Sequence, residues 1–216
     1  MSRKPAALLL SSLLSALGCS WGGPRHTPEQ AFWSWFQKNE DSLFDFEKDQ
    51  ERIFERLTTE LHKINPSLTF EFGPKENGRR EFTISADGIR NAFPAVEKLY
   101  ASAPALPRWK LQKFRQRRQP SDISFRSVHV VVDGVKVVAL RSGEKADIAV
   151  FMPGYSEAAR ETYMGIAFLL LDQALGEYDV ETRVGEMQIE DTSKAPPKAY
   201  PLKELPMCFD QLFATK

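Results

Sequence analysis

Hydrophobic and polar positions alternate along this chain with two periods, and the order in which the periods change predicts the elements. Phe32, Trp35 and Phe36 recur at helical spacing behind Thr27-Pro28-Glu29-Gln30, which carries an N-cap threonine, proline at the first helical position and glutamine at the third. A second helix is predicted from Phe46 to Ile64. Ile53, Leu57, Leu61 and Ile64 form its stripe, and Glu47, Asp49, Glu51, Arg52, Glu55 and Arg56 its wet side. Asn65-Pro66 ends it.

The period then shortens to two. Leu68 to Phe72 and Glu81 to Ser85 alternate around turn residues Pro74 to Gly78 and predict a hairpin. A helix over 94–103 follows, with Val96, Leu99 and Tyr100 inward. Residues 108–118 read as extended. Val128 to Leu140, broken by Asp133-Gly134, reads as a second hairpin with a two-residue turn. Ile148 to Met152 is a further strand. Ser156 to Leu175 is apolar around most of its circumference, so the predicted helix is buried on more than one side. Val180 to Ile189 reads as a strand. Leu202 to Phe213 closes the chain as an amphipathic helix, with Leu205, Phe209 and Leu212 inward.

The expectation is therefore an α+β fold. Two N-terminal helices lead into β-β-α-β and then β-β-β-α-β-α, with helices packed on an antiparallel or mixed sheet. The two runs share an element order without a residue-level repeat.

The first nineteen residues stand apart. Arg3 and Lys4 precede an apolar run, and Gly18 precedes Cys19, the order of a secretory signal. Ala16-Leu17-Gly18-Cys19 resembles the lipobox of bacterial lipoproteins, which makes Cys19 the expected lipidation site and the membrane a partner through that anchor. The implied division is a signal peptide over 1–18, a tether over 19–27 and one α+β domain over 28–216. Ala-Leu-Gly also satisfies ordinary signal peptidase, so secretion stays open. A start near Thr27 would leave a cytoplasmic protein.

Composition narrows the function less than the pattern narrows the fold. Hydrophobic residues make up 42% and charged residues 27%, as in a packed globular chain. The 29 basic and 29 acidic residues balance, and loss of Arg3 and Lys4 tips the balance to acid, which argues against general nucleic-acid binding. With Cys19 lipidated, Cys208 is alone, so no disulfide framework forms and Cys208 reads as a small buried hydrophobe. His26, His62 and His129 fit no metal-ligand spacing, and no nucleophile elbow or Gly-rich phosphate loop occurs. No cofactor, metal or catalytic residue is expected from motifs.

Two clusters rise above this background. Residues 108–118 hold six basic residues and no acid. As a strand they place Trp109, Lys113, Arg115 and Arg117 on one face, suited to an acidic protein or small anionic ligand, or to a solvated edge strand. Interleaved Trp109 and Phe114 would also suit stacking on single-stranded nucleic acid. Asp172 follows three leucines on the buried helix and needs a partner, for which Arg115 or Arg117 is available, as a clamp or as the floor of a polar pocket. Glu177 and Asp179 follow at the next turn and would form an acid/base pair only inside a cleft, the alternative being a solvated helix-to-strand turn.

Phe32-Trp33-Ser34-Trp35-Phe36 with Asn39-Glu40-Asp41, Phe70 to Gly73, Ile84 to Gly88, and Leu170 to Asp172 running into Gly176-Glu177-Tyr178-Asp179-Val180-Glu181-Thr182 resemble phrases of a family of uncharacterised bacterial proteins. The likeness covers about Phe32 to Phe213 and implies no catalytic residue. The leading expectation is a non-enzymatic envelope lipoprotein that binds a partner or anionic ligand. The alternatives are an enzyme using Asp172, Glu177 or Asp179 with an arginine, and a cytoplasmic adaptor.

Overall fold

A computed structural model describes residues 26–214. The signal segment, Cys19 and most of the tether lie outside them. The chain is α+β, with helices packed on mixed sheets, and it builds one β-β-α-β arrangement twice.

The first half opens with α1 (Pro28–Lys38), where Thr27 and Gln30 exchange side-chain-to-backbone bonds in a capping box. Its buried apolar residues are Phe32, Trp33 and Phe36. Trp33 enters the core because its indole N–H donates to the Leu99 carbonyl at 2.9 Å, whereas Trp35 stays half-buried beneath the Arg56 guanidinium.

The predicted helix over 46–64 is shorter and has company. A short α2 (Glu40–Phe44) and a 3-10 turn (Phe46–Lys48) precede α3 (Gln50–His62), so three helices lead rather than two. The turn is held by Arg80, whose buried guanidinium pairs with Glu47 and lies 4.3 Å from the Phe46 ring centre. The stripe of α3 carries the expected Ile53, Leu57 and Leu61, while Ile64, the fourth expected member, lies past the helix end.

Strands β1 (Thr69–Glu76) and β2 (Arg79–Ser85) form the first hairpin around Asn77-Gly78, both with positive φ. Helix α4 (Phe93–Ala101) returns the chain to β3 (Trp109–Lys113), which pairs parallel to β2. Val96 and Leu99 of α4 are buried, and Tyr100 faces solvent. Phe36, Phe82, Leu57, Leu99 and Trp109 centre the first core.

The second half begins with a small hairpin, β4 (Ile123–Phe125) and β5 (Val128–Val130). Strands β6 (Lys136–Ser142) and β7 (Lys145–Met152) then pair antiparallel. The predicted hairpin over 128–140 therefore does not form. Asp133-Gly134 sits in a 3-10 turn pinned by the Asp122 carboxylate on the Val132 N–H, and each flanking strand pairs with its other neighbour.

Helices α5 (Arg160–Leu175) and α6 (Glu177–Arg183) lead to β8 (Val184–Asp191), parallel to β7. The predicted strand over 180–189 thus starts late, because its first residues continue α6. The two-residue β9 (Tyr200–Pro201) and α7 (Leu205–Phe213) close the fold, with sheet order β8-β7-β6-β9. Ile148, Val150, Ile166, Leu170 and Phe209 lie in the second core. Cys208 on α7 is half-buried rather than fully buried. No helix among the described residues is long and apolar enough to cross a membrane.

Candidate functional site

The two clusters that stood out in the sequence meet where the halves join. Strand β3 stops at Lys113, because Phe114 takes a left-handed conformation (φ 61°) while its N–H still donates to the Ile84 carbonyl. The Phe114 ring packs between Phe93, at 4.5 Å between centroids, and Tyr178, at 5.3 Å. That turn ends the expected alternation and sends residues 115–117 across to the second half.

There they meet the corner between α5 and α6. Gly176 (φ 79°) has no side chain, and a Cβ would come within 3.0 Å of the Arg115 carbonyl. The two backbones therefore touch, and the Glu177 N–H donates to that carbonyl at 3.0 Å. The Glu177 side chain is 1% exposed. Its carboxylate accepts three backbone N–H bonds, from Ala86 at 2.9 Å, Gly88 at 3.2 Å and Arg115 at 3.1 Å. Glu177 fastens the halves, and its burial closes it to a ligand.

The arginines are similarly engaged. Arg115 Nε donates to Asp172 at 2.7 Å, and its Nη1 donates to Asp87 at 3.0 Å and to Ser85 at 3.1 Å. Arg117 reaches Asp179 at 2.5 Å, Asp210 at 2.8 Å and the Leu175 carbonyl at 3.0 Å. Burial works against the Arg115 charge, yet the Asp172 carboxylate holds its pKa above the ordinary value. Asp210, then Asp179, do the same for Arg117. Burial pushes the Asp172 carboxyl up, and Arg115 offsets this only in part.

The remaining candidates lie elsewhere. Lys113 pairs with Glu97 at 2.7 Å. Trp109 is 1% exposed, and its indole N–H donates to Glu40 at 3.0 Å. Phe114 is buried as well. The proposed stacking surface for single-stranded nucleic acid is therefore corrected: both rings face the first core, because β3 turns its apolar side to the helices.

Beside the joint opens a cleft of about 280 Å³. One wall is a stripe of α5 at helical spacing, Gly165, Phe168, Leu169 and Asp172. Phe125 of the small hairpin and Val180 and Glu181 of α6 continue it, and Asp87-Gly88 with Arg115 form the far side. Phe168 and Leu169 are 48% and 42% exposed. Burial pushes the Glu181 carboxyl up, and the nearby Glu177 and Asp172 carboxylates add to the shift.

The sequence reading reached Asp172 and its arginine partner but missed the wall. The run Ile166 to Leu171 reads as buried on more than one side, with no sign that Phe168 and Leu169 face a cleft. Glu181 reads as a strand residue, and only its helical setting turns it into the cleft. Among the described residues, no group of three or more His, Cys, Asp or Glu side chains is arranged to hold a metal ion.

The fold and cleft define an α+β protein of two helix-backed sheets with a mixed apolar and acidic recess at their joint. Comparison with protein-family models, with curated proteins and with solved structures finds no match to the chain.

Proposed function

We propose that this protein is a non-enzymatic binding module of the bacterial cell envelope, held to the membrane by a lipid on Cys19, and that it receives its guest in the cleft between its halves. One observation carries the reading. Phe168 and Leu169, adjacent on α5, leave about half their surface in water on the wall of a recess. Neighbouring exposed apolar side chains in a concave setting suit a binding site better than a packed core.

The same geometry redirects the choice of ligand. An acidic partner or small anion would need Arg115 or Arg117, and both guanidiniums are already paired with carboxylates. An enzymatic reading loses Glu177 and Asp179 to the joint for the same reason.

The test is native mass spectrometry of the full-length protein extracted from host envelopes. The expected mass is that of a chain beginning at an acylated Cys19 and carrying a non-covalent adduct, which Leu169→Trp, by filling the cleft, removes. A chain still bearing Met1 overturns the envelope assignment. Absence of an adduct, or an equal adduct on the variant, overturns the binding site.

A further inference from the structure

We propose that the cleft takes a primary ammonium group carried on an aliphatic body, with the Glu181 carboxylate meeting the cation. This rests on the cleft being a binding site and adds the chemistry of what enters it.

Charge on the cleft wall is one-sided. Asp87, Asp172 and Glu181 contribute three carboxylates, and Arg115 is the single cation. Arg115 is shared between Asp172 and Asp87, so both of those carboxylates have a counter-ion. Glu181 has none in contact: among the described residues no donor bonds its oxygens and no basic group stands within ion-pair distance, Arg90 and Lys145 acting on it only from farther off. A half-buried carboxylate that has lost hydration without gaining a donor is costly to keep, and an incoming ammonium supplies both charge and N–H donors.

Access to Glu181 depends on Gly88. The Glu181 Oε1 lies 3.0 Å from where a Cβ on Gly88 would stand, so a side chain there would crowd the oxygen and the carboxylate would have to give way. Gly88 also holds φ 76°, a conformation glycine adopts without strain. The apolar part of the guest has its own surface in Phe125, Phe168, Leu169 and Val180. An anionic amphiphile of the same shape would face three carboxylates with no free guanidinium. The volume of about 280 Å³ sits at the small end of ligand pockets and suits a small free amine.

The experiment compares n-octylammonium, octan-1-ol and octanoate on the lipid-free chain from residue 20 onward and on the full protein in detergent, read by calorimetry and by methyl shifts of Leu169 and Val180. Octylammonium is expected to bind at least tenfold tighter than octanol, and octanoate more weakly than either. Glu181→Gln should bring octylammonium to the level of octanol and leave octanol unchanged. Equal binding of octylammonium and octanol to the unmodified protein overturns the ammonium proposal while leaving an apolar binding site. Failure of all three to perturb Leu169 or Val180 overturns the site and the proposal together.

Discussion

At the scale of single residues, two glutamates four positions apart on α6 have opposite fates. Glu177 is almost wholly buried and saturated by three N–H donors. Glu181 is only partly covered and has no donor, and burial together with Glu177 and Asp172 lifts its pKa above the ordinary 4.5. A group whose folded pKa is raised binds its proton more tightly in the folded state, so stability falls as pH rises through that range. Glu181→Gln should therefore melt with the unmodified protein below about pH 4.5, where both side chains are neutral. At neutral pH it should melt at a higher temperature. Melting curves across pH check this, and a variant less stable at neutral pH would show that Glu181 has a stabilising partner. A carboxylate that costs stability is one that serves binding rather than folding.

At the scale of elements, α5 has two different apolar faces that the sequence does not separate. Leu170 is fully buried in the second core, whereas its neighbours Phe168 and Leu169 stand in the cleft wall. Leu170→Ala should cost about 2–5 kcal/mol through lost burial and the cavity left behind. Phe168→Ser should cost under about 1 kcal/mol, as expected of an exposed site. Chemical denaturation of both variants decides it, and equal costs would mean that both faces are packed. The helix and its end at Gly176 were legible from periodicity and the terminating glycine, whereas its start falls at Arg160, because Ser156 makes no side-chain cap and leads into a 3-10 turn first. So were the α3 stripe and the first hairpin, because Ile53, Leu57 and Leu61 and the Asn77-Gly78 turn are local signals. What periodicity could not carry was pairing. Asp133-Gly134 looks like a hairpin turn, yet the strands beside it pair elsewhere, a choice made by Asp122 and by long-range packing. Trp109 and Phe114 likewise interleave with the charges in the sequence, but β3 turns Trp109 to the helices and the left-handed backbone at Phe114 puts its ring inside as well.

At the scale of the whole molecule, the two β-β-α-β halves have separate cores, and a short list of polar contacts between residues 85–88, 115–117 and 172–181 helps hold them together. The element order hinted at the repetition, but the joint depends on residues some sixty positions apart and had no local signature beyond unpaired charges. The cleft exists because the halves are held at this joint, so its geometry and the fold's cooperativity depend on the same ion pairs. Reversing the charge at both arginines, Arg115→Glu with Arg117→Glu, sets new carboxylates against Asp172, Asp87, Asp179 and Asp210. These pairs are only partly covered, with Asp87 and Asp210 largely in water, so each is worth less than the about 3–5 kcal/mol of a buried pair, and reversal adds repulsion to the loss. The expected result is a marked fall in melting temperature and a separation of the single transition into two, one per core, followed by tryptophan fluorescence for the first. Every tryptophan among the described residues, Trp33, Trp35 and Trp109, belongs to the first half, so a divergence between fluorescence and far-ultraviolet circular dichroism would report the uncoupling directly. Coincident transitions at an unchanged temperature would mean that apolar contacts such as Phe93–Phe114–Tyr178 hold the halves without help from the arginines, which would then be free to serve a ligand after all.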